Sequence, residues 1–340
     1  MKTVLLKDLA PGMRVGVDIY NDNQLILLKN TVLTAEMIER IKNYNIPYVK
    51  IVVEDLKDTQ KFKVFKQEFI QNVSEIQGEF NDVVTKNTPI KIDNLLEKTA
   101  SVLSKAEGTN IFDMLRNMRN YDDSTYVHCL NVALICNVMG KWMNLPAREM
   151  ETLVLAGMLH DIGKLTIPDA IIKKPGKLTD DEFNIIKTHP VKGFEILRNQ
   201  KLPEAVKYAT LMHHERCDGT GYPLGISYEK IDPIARLVSI ADVYDAMTSN
   251  RVYRDSLSPF TVVDIFQKEG LQKYDPEYIL MFLERIVNTY LNNHVQLSDG
   301  RTGEVVLINQ HALSRPLLRV ENGFLDLSQE KDITITRVLS

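Results

Sequence analysis

The sequence predicts a mainly α protein: a helical bundle preceded by a small α/β module and followed by a short β-rich tail. Three observations carry that expectation. Between about residues 56 and 290, apolar residues recur at spacings of three and four. Residues 1–55 and 291–340 instead break into short runs separated by turn signals. The 340-residue length, with 44% hydrophobic and 25% charged residues, is that of an ordinary globular chain with room for a large core.

Taken in order, Pro11-Gly12 and Asn21-Asp22-Asn23 mark turns around strand-like runs at 15–20 and 24–28. Thr34 has the chemistry of an N-cap for a helix running through Tyr44, with Ile38 and Ile41 on its apolar face. Residues 48–53 are strand-like again. Residues 56–118 form a helical connector, in which Phe62, Phe65, Phe69, Val73, Ile76 and Phe80 share one face. A homodimer contact through this connector is expected. Residues 119–290 hold more apolar helices, at 126–142, 149–160 and 234–249. In the tail, Ser298-Asp299-Gly300 and Glu321-Asn322-Gly323 are tight-turn signals flanking strands at 304–308 and 317–320.

Composition excludes several classes. The net charge of −4 provides no global basic field for polymeric nucleic acid or an anionic membrane. Three cysteines, Cys129, Cys136 and Cys217, have no CxxC spacing, so neither a disulfide framework nor a zinc knuckle is expected. Cys129 and Cys136 read as buried small hydrophobes. No apolar run has the length of a membrane span, and the N-terminus lacks the apolar core of a signal peptide. A reducing, cytoplasmic setting is expected.

The chemistry concentrates in the third segment. Of seven histidines, five (His128, His160, His189, His213 and His214) lie between 119 and 290, with His294 and His311 outside. With Asp161 and Asp242 they form an ordered set of imidazoles and carboxylates, the ligands that suit divalent transition metals. A single histidine on an apolar face is more often a hydrogen-bonded core residue than a ligand. The adjacent pairs argue otherwise. Neighbours on a helix point about 100° apart, so His160-Asp161 is a poor core pair unless something lies between the side chains. His128 falls near the start of one helix and Asp242 within another. His160-Asp161 ends a third, ahead of Gly163, read as a C-terminal breaker. Separate helices converging on one point is how bundles build metal sites.

HDIGK at 160–164, HPVKG at 189–193, HHERCDGTGYP at 213–223 and ADVYDAM at 241–247 follow in that order. Together they resemble the HD-GYP family of the HD phosphohydrolase superfamily over about residues 120–255, the HHExxDGxGYP block being the most specific part. The resemblance implies an HD-type domain at 119–290. It also implies a phosphodiesterase that hydrolyses the bacterial messenger cyclic di-GMP to pGpG, and in many members on to GMP. Carried over by position, His128, His160, Asp161 and Asp242 hold one metal. Asp161 bridges to a second, completed by His189, His213 and His214. Two cations would generate a bridging hydroxide at neutral pH and stabilise the departing 3′-oxygen, which makes Asp161 catalytic as well as a ligand.

The same resemblance gives Lys164 a catalytic and substrate-binding role as a point charge on the scissile phosphate. Tyr222 projects toward substrate from a tight loop shaped by Gly219, Gly221 and Pro223. Glu215, Asp218 and Asp245 are expected to orient ligating imidazoles. Arg251 and Arg254 offer planar forks for a phosphate or a guanine edge, and Cys217 reads as a variable loop position. Some family members hold a third metal on a carboxylate one turn before the first histidine. Here that position is Ser124, and Asp122 and Asp123 read as helix caps, so two metals are expected.

Ligand type leaves iron, manganese, zinc and nickel open; the resemblance favours iron, then manganese. Three rivals to cyclic di-GMP hydrolysis remain. The site could prefer another cyclic dinucleotide, since groups away from the metals read the bases. The chain could be a catalytically weak cyclic-dinucleotide sensor, which its complete ligand set argues against. A structural oligomerisation protein would leave the ligand cluster unexplained.

Overall fold

A computed structural model describes residues 2–21, 24–44, 46–52, 59–118, 124–249, 256–321 and 323–339. The contacts divide the chain between Thr59 and Gln60 into two compact units.

The first unit contains β1 (Lys2–Leu5), β2 (Arg14–Val15), β3 (Ile19–Asn21), β4 (Gln24–Leu27), α1 (Ala35–Asn43) and β5 (Tyr48–Val52). β1, β5 and β2 form an antiparallel sheet in that order, and β3 and β4 form a separate hairpin. The single strand expected at 15–20 is therefore two. The run changes partners between Val15, which pairs with β5, and Ile19, which pairs with β4. Thr34 caps α1 as expected, its hydroxyl oxygen accepting from the Met37 amide at 3.2 Å. Ile38 and Ile41 are buried with Val15, Leu33 and Val49 in the unit's core.

The second unit is helical at its centre. Its helices are α2 (Gln60–Lys86), α3 (Ile92–Ala106), α4 (Ile111–Met118), α5 (Thr125–Trp142), α6 (Ala147–Leu159) and α7 (Asp169–Ile172). They continue with α8 (Asp180–Ile186), α9 (His189–Leu197), α10 (Glu204–Met212), α11 (Pro233–Thr248), α12 (Pro259–Ile265) and α13 (Pro276–Asn288). The aromatic stripe of α2 is buried from Phe62 through Phe80, and α2 packs on α3 and α5. Those side chains already serve the chain's own core, so any dimer contact through α2 must use its outer face. α5 is apolar around most of its circumference, because it packs against α6 and α11 and also meets α2 and α3. Cys129 and Cys136 lie buried within it, as expected.

The tail is an antiparallel sheet of five strands in the order β10-β6-β7-β8-β9. Its strands are β6 (His294–Leu297), β7 (Thr302–Leu307), β8 (Leu317–Val320), β9 (Gly323–Asp326) and β10 (Ile335–Leu339). It is docked on the helices: Ser258, the N-cap of α12, donates its hydroxyl to the Ile335 carbonyl at 2.6 Å. The fold is thus mainly α with small sheets at either end of the chain. No helix among the described residues is long and apolar enough to cross a membrane.

Candidate metal centre

Five helices bring the predicted ligands together. His128 lies in the first turn of α5, whose N-cap Ser124 accepts from the Val127 amide. α6 ends at Leu159, leaving His160 as its C-cap and Asp161 just beyond. His189 opens α9, where the following Pro190 occupies a position with no intrahelical partner for an N–H. His213 and His214 follow the last residue of α10, and Asp242 is buried within α11.

Gly163 does something other than break a helix. A Cβ there would fall inside van der Waals contact of the His189 carbonyl oxygen and lie 2.5 Å from the Gly193 nitrogen. Only a glycine lets the turn after Asp161 press against the start of α9, and that approach sets His189 beside Asp161.

Asp161 is the hub. Its Oδ1 lies 3.2 Å from His189 Nε2 and 3.5 Å from His213 Nε2. Its Oδ2 lies 3.4 Å from His160 Nε2 and 3.5 Å from His128 Nε2. Each oxygen therefore faces a different pair of imidazoles. His128 Nε2 is also 2.9 Å from Asp242 Oδ1, and His214 Nδ1 is 3.7 Å from Asp242 Oδ2. The ligand atoms fall into two clusters: His128, His160 and Asp242, and Asp161, His189, His213 and His214.

Hydrogen bonding fixes which imidazole nitrogens are bare. His160 Nδ1 lies 2.8 Å from the Gly157 carbonyl, His189 Nδ1 2.7 Å from that of Ile186, and His213 Nδ1 3.0 Å from that of Thr210. A carbonyl only accepts, so each Nδ1 donates and each neutral ring presents a lone pair at Nε2. Burial keeps His189, His213 and His214 below the usual histidine range, hence neutral. Those lone pairs converge on the Asp161 carboxylate, and the Nε2 atoms of His189 and His213 lie 3.2 Å from each other. Acceptors facing acceptors need cations between them. Asp161 Oδ1, buried, receives no hydrogen bond among the described residues. Burial alone would raise the Asp161 carboxyl, but Lys164 and the imidazoles outweigh it and hold it well below the carboxylate range. The set fits divalent metal ions and forms a metal-binding cluster of histidine and aspartate.

His128 is oriented by a carboxylate rather than a carbonyl: its Nδ1 is 2.7 Å from Asp245 Oδ2. Burial acts to lower this imidazole, yet hydrogen bonds to Asp242 and Asp245 prevail and raise it to about 9. Asp245 thus has the orienting role expected of it. It is steadied by Asn131, whose amide donates to Oδ1 at 3.0 Å. Sequence reading passed over Asn131, although it lies three residues beyond His128 on one helix face.

Glu215 and Asp218 do not orient imidazoles. Glu215 is buried and accepts from the backbone amides of Leu224, Gly225 and Ile226 at 2.6, 3.2 and 3.1 Å, which holds the following loop closed. Asp218 accepts from the amide and hydroxyl of Thr220. Gly221 is required there because a Cβ would collide with the backbone of Glu215 and Arg216, while Gly219 supplies a positive φ of 78°. Tyr222 is set with its ring stacked on His214, centroids 4.7 Å apart. Lys164 pairs with Asp161 Oδ2. Cys217 lies outside both clusters, its thiol pushed up by burial to about 11. Asp122, Asp123, Arg251 and Arg254 lie outside the described residues.

A family model described as HD domain matches residues 93–278. The chain belongs to the HD domain family. Its HHERCDGTGYP block makes it a member of HD-GYP type. The matched HD domain begins within α3, which packs on α5 and α6.

Among curated relatives, the HD domain chain is 35% identical over 67% of its length to a cyclic di-GMP phosphodiesterase of Pseudomonas aeruginosa, covering 54% of that protein. It is 29% identical over 62% of its length to a cyclic di-GMP phosphodiesterase response regulator of Xanthomonas campestris pv. campestris, covering 54% of it. A 3′3′-cGAMP-specific phosphodiesterase of Vibrio cholerae is 30% identical over 64% of the chain and is covered over 41% of its own length. The chain thus spans about half the length of the curated relatives it matches. An HDG"Y"P protein of Bdellovibrio bacteriovorus shares the fold, with a TM-score of 0.53 at 15% identity over 84% of this chain and 99% of that one.

Proposed function

We propose that the chain is a cytoplasmic, metal-dependent phosphodiesterase that hydrolyses cyclic di-GMP to pGpG. The observation that carries this reading is Asp161, whose two oxygens each face a separate pair of imidazole Nε2 atoms. Such a carboxylate would serve two metal ions, which His128, His160 and Asp242 would hold with it on one side and His189, His213 and His214 on the other. Iron is the first choice of metal and manganese the second. When bound, two such ions acidify a water nucleophile and neutralise charge on the phosphoryl and leaving oxygens.

The chain's own groups supply the rest. Asp245 holds His128 in the tautomer that leaves Nε2 bare. Lys164, paired with Asp161, gives a positive charge at the edge of the centre for the scissile phosphate. Tyr222 closes one wall by lying on His214. Arg251 and Arg254 take a phosphate or base edge, a role that rests on the family pattern alone. A homodimer, if formed through α2, uses its outer face.

A second reading has its own support. Two of the relatives bear the name 3′3′-cGAMP-specific phosphodiesterase, at 30% and 38% identity, so the metal centre is compatible with either dinucleotide. The test is turnover of cyclic di-GMP, 3′3′-cGAMP and cyclic di-AMP by metal-loaded protein of measured metal content. Fastest turnover of cyclic di-GMP is expected. Turnover of none of the three with both metals in place overturns the proposal.

A further inference from the structure

We propose that Phe183 of α8 is the shelf on which a purine base of the substrate stacks while the metal centre holds its phosphate. The inference rests on the phosphodiesterase reading and adds a residue to it.

Two rings step outward from His214. Tyr222 lies against His214 with its ring plane tilted by 29°. Phe183 meets Tyr222 edge to face, centroids 6.5 Å apart at 74°. Unlike the buried rings of the core, Phe183 is 46% exposed. A large aromatic one ring removed from a metal-ligand imidazole, and exposed over nearly half its surface, is placed to meet an entering ligand.

α8 is also held in place, so the exposure belongs to the fold. Thr179 and Glu182 form a reciprocal capping box, with Thr179 N donating to Glu182 Oε2 at 2.7 Å and Glu182 N to Thr179 Oγ1 at 3.2 Å. Lys174 ties the same carboxylate from the preceding loop at 2.6 Å. Lys187, the C-cap of the helix, holds its ammonium over one face of the Phe183 ring, 5.1 Å from the centroid. An aromatic ring with a cation over one face complements a nucleotide, which has a flat base and a negative charge, better than an aliphatic ligand or a lipid chain. Because every base has a π-face, such a shelf adds affinity without choosing between guanine and adenine. It is therefore expected to serve cyclic di-GMP and 3′3′-cGAMP alike.

The experiment is calorimetric binding of GMP and of inorganic phosphate to the full, metal-loaded chain and its Phe183→Ala, Phe183→Leu and Phe183→Trp variants. GMP should bind the parent more tightly than phosphate. Phe183→Ala and Phe183→Leu should weaken GMP roughly 5- to 150-fold, the range for one lost base–aromatic stack, and leave phosphate binding unchanged. Phe183→Trp should restore GMP binding. With cyclic di-GMP as substrate, Phe183→Ala should raise KM and leave kcat unchanged. GMP binding no tighter than phosphate in the parent, or unchanged in Phe183→Ala, overturns the shelf. So does an equal loss of phosphate and GMP, which would make Phe183 a structural prop for Tyr222. If Phe183 governs GMP binding but no cyclic dinucleotide is turned over, the shelf stands and the proposed activity fails.

Discussion

Replacing Asp245 with asparagine removes a charge while keeping nearly the same volume. Asp245 is buried, with one carboxylate oxygen 2.7 Å from His128 Nδ1 and the other accepting from Asn131 Nδ2 at 3.0 Å. Both neighbours donate. Asparagine has one acceptor oxygen and one NH2 group, so it must turn a donor toward either Asn131 or His128. Toward Asn131, it requires that amide to turn its own oxygen inward, and it leaves His128 a neutral acceptor in place of a charged one. Toward His128, it forces the imidazole proton onto Nε2, the atom that faces Asp161 and Asp242, and His128 ceases to be a ligand. Losing a charge-assisted hydrogen bond costs about 1.5–3 kcal/mol, or about 10- to 150-fold in metal affinity at about 1.4 kcal/mol per tenfold. That agrees with the ~10–100-fold typical of removing a group that orients a metal-bound histidine. The loss should fall on the His128–His160–Asp242 cluster. The cluster of Asp161, His189, His213 and His214 should hold its metal as the parent does. Competition with a chromophoric chelator resolves the two binding steps. Two unchanged steps in a folded Asp245→Asn protein would refute the tautomer argument.

Other perturbations follow from the same geometry. Gly163→Ala drives a methyl group into the backbone of α9 and should cost about 3 kcal/mol or more of stability, the upper end of overpacking, together with metal binding at His189; an unchanged melting temperature would contradict it. His128, raised to about 9, holds a proton in the metal-free chain that must leave as metal enters. Metal affinity should therefore fall about tenfold per pH unit below about 9 for that one proton. Calorimetry in buffers of different ionisation enthalpy measures the proton released, and none released at pH 7 would count against the assignment. Arg251→Ala and Arg254→Ala should each weaken cyclic di-GMP binding by about 1.5–3 kcal/mol with metal content unchanged; binding equal to the parent's would make both arginines surface charges.

The clustering of candidate ligands could be read from the sequence because its residue types are expensive to bury except around a metal, and because the paired residues His160-Asp161 and His213-His214 suit no ordinary core. The ends of α5, α6 and α11 lie within two residues of their expected positions, since capping residues and apolar spacing are local signals. What escaped reading depends on tertiary contact. Gly163 looks like a helix stop until the backbone of α9 is seen against it. Glu215, three residues ahead of Asp218 in an acidic motif, looks like an imidazole partner until the chain turns back and brings three amides to its carboxylate. The carbonyls of Gly157, Ile186 and Thr210, which set three tautomers, carry no side-chain signature at all. In the tail, β6 and β10 pair across some forty residues of sequence, so neither announces itself by a hairpin turn.

The central claim is that one carboxylate serves both halves of the metal centre, and the most direct test compares the metal content of Asp161→Ala with that of His189→Ala. Asp161 touches both clusters, whereas His189 belongs to one. Asp161→Ala should weaken metal binding at both and abolish cyclic di-GMP hydrolysis, with the helical circular dichroism of the parent retained. His189→Ala should lose one metal and keep the other. Full metal content and full turnover in Asp161→Ala, or a loss confined to one metal, would contradict the account.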